Sequence, residues 1–267
     1  MSRYETLFTK LEAEKRIAFI PFVTLGDPNF DDSLSIVESL IAGGADALEL
    51  GFPFSDPIAD GPTIQKAAKR ALEAGVSIEN CFQLLEKIRQ AHPEIPIGLL
   101  LYSNLVFKPG MDKFYHRLAQ VGVDSILIAD VPLLEIQPFL ACAEEHGIEQ
   151  VLILPPDASE EKIQAVARNS QGYIYLLSRS GVTGTETQAE LPKDTVIESL
   201  KQVGGAPPVL GFGIAEPKQV EDTRFAGASG AISGSAVVKI IEDNLEDKSN
   251  MLSALQEFVK KMRAAAG

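Results

Sequence analysis

The 267-residue sequence contains little cysteine, little histidine and fewer basic than acidic side chains. Its two cysteines, Cys81 and Cys142, stand alone without Cys-x-x-Cys spacing, which predicts two reduced thiols packed in helices rather than a disulfide framework. No histidine stands at ligand spacing to either of them, so we expect no metal site. The 24 basic and 37 acidic residues give a net charge of −13, which would repel nucleic acid and anionic membranes.

A long apolar segment is also absent. Residues 1–16, MSRYETLFTKLEAEKR, carry charges at helical spacing and no apolar run of the kind that signal peptides contain. No later segment approaches about eighteen uncharged apolar residues, the length that indicates a membrane span. We therefore expect a cytoplasmic location. With 45% hydrophobic and 23% charged residues, the composition is that of a globular protein with a large core.

Eight short apolar runs alternate with segments that carry apolar residues at helical spacing and end in Gly or Pro. Such runs are typical of parallel strands covered on both faces. Repeated β/α units form either an open doubly wound sheet or a closed barrel, and eight strands in about 250 residues favour the barrel. The predicted strands begin at Ile17, Asp46, Ile95, Ser125, Gln150, Gly172, Pro208 and Gly230.

No low-complexity linker or break in composition divides the sequence. We therefore expect one α/β domain over residues 1–267, a (β/α)8 TIM barrel with extra helices at its N-terminus, roughly 3 to 15, and at its C-terminus, roughly 247 to 265. Parallel strands bring their C-terminal ends to one face, where the chemistry of this fold takes place. Polar residues late in the strands are thus the candidates for a functional site.

Glu49 lies in the run ALELG, near the C-terminal end of the second strand. It is in phase with Ala47 and out of phase with Leu48 and Leu50, so Glu49 faces the barrel interior if Ala47 does. An apolar environment raises the pKa of a carboxyl group above its usual value of about 4.3, which suits it to general acid/base catalysis. The alternatives are a glutamate paired with a Lys or Arg, or one in water at the strand end.

Asp60 lies in a stiff, acidic, proline-rich connector after the second strand. Because Pro62 falls in the first turn of the next helix, Asp60 is either a helix cap or a carboxylate presented to a substrate. The outer side of the same connector, with Asp56, is a candidate surface for another protein.

Three glycine-bearing strand ends come late in the sequence: SRSGVTGTE, GFGI and SGSA. In TIM barrels, the loops after strands seven and eight and a short helix N-terminus commonly hold a phosphate, although glycines at strand ends also serve turns. Backbone N–H groups would then bind an anion without a basic surface. The segment SRSGVTGTETQAELP is long for a strand–helix connection and is either a mobile lid or an ordinary exposed loop.

Apolar and aromatic residues occupy in-phase positions at several strand ends. Most such residues belong to a core, but around an open mouth they would line a pocket for a flat aromatic molecule. No P-loop motif or complete dinucleotide fingerprint occurs. The in-phase residues are Phe22, Leu100 with Tyr102, Tyr173 with Tyr175, and Phe212.

Together these motifs resemble the tryptophan synthase alpha subunit family over nearly all of the 267 residues. The most specific carrier is LELGFPFSDPIADGPTIQ, supported by PFVTLGDP, LLLYSNLVF, ADVP, YLLSRSGVTG and GFGI followed by GAISGSAVVKII. The resemblance implies a TIM-barrel lyase that splits indole-3-glycerol phosphate into indole and glyceraldehyde 3-phosphate by a retro-aldol step in tryptophan biosynthesis. It implies neither a metal nor a cofactor in this chain.

The resemblance also implies roles for individual residues. Glu49 would be the acid/base, Asp60 would accept a hydrogen bond from the indole N–H, and Tyr175 would lie beside Glu49. Arg179 and Thr183 would belong to the lid, with Thr183 contacting Asp60 on closure. The implied phosphate contacts are Gly184, Gly213, Gly234 and Ser235, and the implied indole pocket consists of Phe22, Leu100, Tyr102, Leu127, Ala129, Ile153 and Phe212.

Finally, the resemblance implies a beta subunit that binds pyridoxal phosphate and joins indole to serine, usually in an α2β2 complex. Asp56 and the DVPLLE segment at Asp130 would face this partner. Phe52 stands where a smaller aliphatic residue is common in the family, which puts extra bulk beside the mouth. Two other functions stay open: an isomerase or ring-closing synthase on another phosphosugar, and a non-catalytic partner that only activates the beta subunit.

Overall fold

The computed structural model describes residues 1–178 and 194–267. In chain order its strands are β1 (Ala18–Thr24), β2 (Leu48–Gly51), β3 (Ile97–Leu101), β4 (Ser125–Ile128), β5 (Glu149–Gln150), β6 (Leu152–Leu154), β7 (Ile174–Leu177), β8 (Pro208–Gly211) and β9 (Gly230–Ser233). The helices are α1 (Arg3–Ala13), α2 (Phe30–Ala42), α3 (Pro62–Glu73), α4 (Ile78–Ala91), α5 (Ser103–Phe107), α6 (Met111–Gln120), α7 (Gln137–His146), α8 (Glu160–Asn169), α9 (Asp194–Gln202), α10 (Pro217–Phe225), α11 (Ser235–Asp243) and α12 (Lys248–Ala264), with a short 3-10 helix at Leu133–Glu135.

The strands form a nearly closed parallel barrel in the order β5-β4-β3-β2-β1-β9-β8-β7-β6. Strands β5 and β6 are two segments of one stretch, interrupted at Val151, because β5 pairs with β4 while β6 pairs with β7. Counting them as one gives the eight strands of a TIM barrel, so the predicted fold is confirmed. Helices α1 and α12 confirm the predicted additions at the two ends.

Two of the connections between strands contain two helices each, where the β/α pattern predicts one. Both α3 and α4 lie between β2 and β3, and both α5 and α6 lie between β3 and β4. Cys81 is buried in α4 and Cys142 is half-buried in α7, and both are free thiols as predicted. Within residues 1–178 and 194–267, no helix combines the length and apolar character that crossing a membrane requires.

Alternating strand residues divide the core into two layers, as the period of two along a strand requires. Leu48 and Leu50 belong to the outer layer, between the strands and the helices. Ala47 belongs to the inner layer, which fills the barrel. Tyr4 of α1 is also buried in this inner layer and closes the barrel from its N-terminal end.

Phe52 packs in the outer layer. Its ring meets Phe82 of α4 and Phe114 of α6 edge to face, with ring centroids 5.5 and 6.3 Å apart. The bulk that we expected beside the mouth therefore packs between β2 and the surrounding helices, and Phe52 also lines the small cleft beside Asp60 and Tyr102.

Candidate active site

Glu49 is buried within β2, with 1% of its surface exposed. The Tyr173 hydroxyl donates a hydrogen bond to its Oε1 at 2.9 Å. Burial raises the pKa of Glu49 to about 8; the Tyr173 hydrogen bond opposes this rise, and the charge of Asp60 adds to it. Among the described residues no Lys or Arg forms an ion pair with Glu49, so the alternative of a salt-bridged structural glutamate finds no support there.

Asp60 lies in the connection between β2 and α3 and is 9% exposed. The Tyr102 hydroxyl donates to its Oδ2 at 2.9 Å. Burial raises the pKa of Asp60 to about 6, and the hydrogen bond from Tyr102 partly offsets the rise. The N-cap of α3 is Gly61, without a side-chain cap hydrogen bond, and Pro62 is the first helical residue. The helix-cap interpretation of Asp60 is therefore wrong, because Gly61, and not Asp60, occupies the N-cap position directly before the helix.

One cavity at the C-terminal mouth of the barrel contains both carboxylates. Tyr175 lines the same cavity, and its pKa is raised by burial first and then by the charges of Glu49 and Asp60. The other residues that line the cavity are Phe22, Ile64, Leu100, Phe212, Gly213, Ile214, Ile232, Gly234, Ser235 and Ala236.

The glycine-rich end of this cavity suits an anion. Helix α11 begins at Ser235 with Gly234 as its N-cap, so the backbone N–H groups of its first turn, which have no partner within the helix, lie beside the cavity. Gly213 and Phe212 have φ values of +75° and +70° at the end of β8. A positive φ at a non-glycine residue costs free energy and is often found at functional sites. The Ser178 hydroxyl holds this turn by donating to the Phe212 carbonyl at 2.6 Å.

The structure divides the expected indole pocket into three groups. Phe22, Leu100 and Phe212 line the cavity that contains the carboxylates. Tyr102 lies beside Asp60, at a small cleft that continues from this cavity. An adjacent cavity of about 300 Å³ contains the other three expected residues, Leu127, Ala129 and Ile153.

The remaining predicted residues lie elsewhere. Asp56 is exposed on the connection between β2 and α3. The lid residues Arg179 and Thr183 and the phosphate contact Gly184 lie outside the described residues.

Some residues in or beside the cavity were not assigned a role from the sequence. The alternation of β7 put Tyr173 in phase with Tyr175, but it could not show that Tyr173 is the residue that contacts Glu49. Ile64 and Ala236 come from the first turns of α3 and α11, where no strand pattern marks them. Beneath Glu49, the Tyr4 ring lies 5.4 Å from that of Tyr173 and its hydroxyl accepts from Ser125 at 3.2 Å.

Away from the mouth, one group of the described residues has the composition of a cation site. Carboxylate and imidazole atoms of Asp112, Glu145 and His146 lie within 4.8 Å of one another on α6 and α7, outside the barrel. Asp112 and Glu145 are exposed, and His146 pairs with Asp112 at 2.9 Å. This group lies outside the cavity that contains Glu49 and Asp60.

Two buried carboxyl groups with pKa values near neutrality, beside a helix N-terminus at the mouth of a parallel barrel, are typical of TIM-barrel enzymes that transfer protons on phosphorylated small molecules. Sequence comparison narrows this class. The sequence model of the family described as tryptophan synthase alpha chain matches residues 8–267. The chain belongs to this family, which confirms the predicted resemblance.

Individual relatives of this chain support the same family assignment. The tryptophan synthase alpha chains of Pectobacterium atrosepticum and Photorhabdus laumondii are 56% and 55% identical to this chain over 265 residues, covering 99% of both chains in each case. Among solved structures, Mycobacterium tuberculosis tryptophan synthase superposes with a TM-score of 0.89 at 29% identity, over 99% of this chain and 98% of the other. A structure of the tryptophan synthase a2b2 complex from Pyrococcus furiosus gives a TM-score of 0.81 at 30% identity, over 92% and 98%.

Proposed function

We propose that this chain cleaves indole-3-glycerol phosphate into indole and glyceraldehyde 3-phosphate, the alpha reaction of tryptophan synthase in L-tryptophan biosynthesis. The observation that carries the proposal, beside family membership, is the shared cavity of Glu49 and Asp60 with their different pKa values, about 8 and about 6. At neutral pH Glu49 then holds a proton, while most Asp60 carboxyls are ionised. One group is ready to donate a proton and the other to stabilise positive charge.

The first step is proton transfer from the Glu49 carboxyl to the indole ring carbon that bears the glycerol chain. Positive charge develops on the ring and is shared by its N–H group. The Asp60 carboxylate accepts a hydrogen bond from this N–H and stabilises the charge, because an opposite charge in a buried site interacts strongly.

The second step uses the Glu49 carboxylate that the first step has formed. It removes the proton of the hydroxyl on the adjacent glycerol carbon, and the bond between this carbon and the ring breaks. The bonding electron pair returns to the ring and gives indole, while the hydroxyl carbon becomes the aldehyde of glyceraldehyde 3-phosphate. Glu49 is protonated again, so no other acid or base is required. Tyr175 lines the same cavity, and we assign it a place beside the reacting carbon.

The phosphate would be held by backbone N–H groups at the N-terminus of α11. Gly213, Gly234 and Ser235 line the cavity at this end, and we assign Gly184 to the same contact. The absence of a side chain at the glycines allows close approach to an anion. Local donors of this kind suit a chain with a net charge of −13, which has no general attraction for anions.

We further propose a beta subunit as partner, in an α2β2 complex in which that subunit, and not this chain, binds pyridoxal phosphate. Three connections that follow consecutive strands expose large apolar side chains: Ile58 after β2, Phe107 after β3 and Leu134 after β4, with 77%, 52% and 92% of their surfaces exposed. Exposed apolar groups at one end of a barrel favour protein docking. Asp56 lies on the first of these connections. We assign the chain to the cytoplasm as one domain over residues 1–267.

Incubation of the purified chain with indole-3-glycerol phosphate, with and without a beta subunit, tests the activity. We expect indole and glyceraldehyde 3-phosphate in equal amounts, with faster release in the complex because closure excludes water from the site. Turnover of a different phosphosugar and no release of indole would favour the isomerase or synthase alternative. Activation of the beta subunit without any indole release would favour the non-catalytic alternative.

The pH dependence of the reaction provides a second test. Activity requires ionised Asp60 and protonated Glu49, so we expect kcat/KM to fall below about pH 6 and above about pH 8. A rate that rises steadily through pH 9 would contradict the assignment of Glu49 as the initial acid.

A further inference from the structure

Tyr102, at the end of β3, contacts two consecutive residues of the connection between β2 and α3. Its hydroxyl donates to Asp60 Oδ2 at 2.9 Å and accepts from the Ala59 backbone N–H at 3.1 Å. A phenol that donates and accepts at once has a fixed orientation, because both roles of its oxygen are used. The same contact therefore determines the position of the Asp60 carboxylate and of the backbone next to it.

The Tyr102 ring is itself held on two sides. It is 3% exposed and stacks on Phe54, with ring centroids 5.1 Å apart and an interplanar angle of 24°. The next residue, Ser103, donates its backbone N–H and its hydroxyl to the two carboxylate oxygens of Asp130, both at 2.8 Å. Tyr102 and Ser103 together thus join the connection before α3 to the connection after β4.

Other contacts of Asp60 fix its backbone and not its carboxylate. Its N–H donates to the Pro57 carbonyl at 3.1 Å, and its carbonyl accepts from Gln65 Nε2 at 2.7 Å. Within the described part of the chain, the Tyr102 hydroxyl is the one hydrogen-bond donor to the Asp60 carboxylate. Without it, the carboxylate could rotate about its side-chain bonds, and a small misplacement of a catalytic group is costly in rate.

We propose that Tyr102 is a positioning residue for Asp60, whose hydroxyl holds Oδ2 and leaves Oδ1 to accept the ring N–H of the substrate. This inference rests on the proposed function. It assigns the phenol oxygen of Tyr102 a role beyond that of a wall of the indole pocket. The hydrogen bond also lowers the pKa of Asp60 against the effect of burial, which keeps more of the carboxylate ionised at neutral pH.

A double-mutant cycle with Tyr102→Phe and Asp60→Asn tests the proposal. Tyr102→Phe keeps the stacked ring and removes the hydroxyl, so we expect kcat/KM for indole-3-glycerol phosphate to fall about tenfold. In the Asp60→Asn background the same substitution is expected to change kcat/KM less than twofold, because the group through which Tyr102 acts is already changed. Equal losses in the two backgrounds would overturn the proposal, and so would full activity of Tyr102→Phe.

Tyr115→Phe is the matched control. Tyr115 is also a buried tyrosine whose hydroxyl donates a hydrogen bond, to Gln150 Oε1 at 3.0 Å, but it lies on α6 in the outer core layer. We expect it to alter the free energy of unfolding without altering kcat/KM. If Tyr102→Phe does not fold, Phe54→Leu provides the measurement: it keeps the phenol and removes the stacked ring, so a smaller loss of kcat/KM is expected, and no loss would overturn the proposal.

The pH profile distinguishes positioning from a structural role. Loss of the Tyr102 hydroxyl raises the pKa of Asp60, so the acid limb of the kcat/KM profile should move to higher pH. The loss of kcat/KM relative to the wild type should therefore become smaller as the pH rises from 6 to 8. A defect of the same size at every pH would indicate only structural damage and contradict the proposal. The same data separate the two claims: full activity of Asp60→Asn would refute the proposed role of Asp60, whereas an impaired Asp60→Asn with an unimpaired Tyr102→Phe would refute only this inference.

Discussion

Asp46 and Glu49 are three residues apart, yet their carboxylates bind different kinds of partner: a guanidinium in one case and a phenol in the other. Asp46 precedes β2 at the N-terminal end of the barrel, with 6% of its side chain exposed, and binds Arg16 through two hydrogen bonds of 3.0 and 2.8 Å. Glu49 lies within β2, is buried more deeply with 1% of its surface exposed, and has a phenol, that of Tyr173, as its described partner. Both carboxylates are thus largely hidden from solvent, and the partner differs.

The same contrast occurs between Asp124 and Asp60. Asp124, just before β4, accepts from Arg3 and Arg89 at 2.8 Å each. Asp60, at the other end of the barrel, accepts from Tyr102. A guanidinium stabilises the ionised carboxylate strongly, whereas a neutral phenol offsets only part of the cost of burial. The comparison teaches that Asp46 and Asp124, paired with arginines, hold the N-terminal end of the barrel together, whereas Glu49 and Asp60, paired with phenols, keep pKa values near neutrality.

The largest expected effect is on catalysis. Glu49→Gln removes the group that transfers the proton in both steps, so we expect indole release to fall on the order of 10⁴-fold. The variant should still fold, because no cation loses its partner among the described residues. Production of tryptophan from added indole by its complex with a beta subunit should be unchanged. Substantial indole release by Glu49→Gln would disprove the acid/base assignment.

Stability should depend on pH through the same residue. Burial raises the pKa of Glu49 from 4.5 to about 8, so between these pH values the folded chain keeps a proton that the unfolded chain releases. The free energy of unfolding must then decrease as pH rises through this window, by about 5 kcal/mol at about 1.4 kcal/mol per pKa unit. Urea unfolding of the wild type and of Glu49→Gln from pH 4 to 9 measures this difference. Parallel curves for the two proteins would show that Glu49 is not buried as described.

The sequence predicts which way the Glu49 side chain faces, but not which side chains the carboxylates pair with. The face of Glu49 follows from its phase with Ala47, since the alternation of a strand is a local property, and the eight apolar runs predict the barrel for the same reason. The partners are not local. Arg16 and Asp46 are 30 residues apart, and Tyr173 and Glu49 are 124 residues apart. No spacing rule relates such pairs, so the paired-glutamate alternative could be judged only from the fold.

Asp60 shows a second kind of limit. Pro62 correctly predicted the start of α3, but a cap and a site residue both occur within two positions of such a proline, and only the structure places Gly61 at the N-cap. The short helix α5 was missed for a related reason, whereas the apolar spacing of the segment that forms α4 indicated a helix. Apolar periodicity indicates a helix, yet it does not show how many helices share one connection.

Asp46→Asn should mainly affect stability. It leaves Arg16, whose side chain is 12% exposed, without the bidentate partner that it has in the native chain. We expect the free energy of unfolding to fall by about 2 kcal/mol, because Arg16 loses two charge-assisted hydrogen bonds and keeps the one to Glu14 at 2.7 Å. Chemical denaturation measures this loss, and kcat/KM per folded molecule should stay unchanged. A catalytic defect in the folded variant would contradict the assignment of a structural role to Asp46 and of catalytic roles to Glu49 and Asp60.

The smallest effect should come from an exposed ion pair. Lys69 and Glu73 on α3 approach to 3.6 Å with 73% and 66% of their side chains exposed, so water and salt screen their attraction. We expect Lys69→Ala to change the free energy of unfolding by less than about 0.5 kcal/mol, because Ala also favours helix. A loss of unfolding free energy comparable with that of Asp46→Asn in the same experiment would mean that burial does not decide how much an ion pair stabilises this chain. The contrast between Asp46 and Glu49 would then need another explanation.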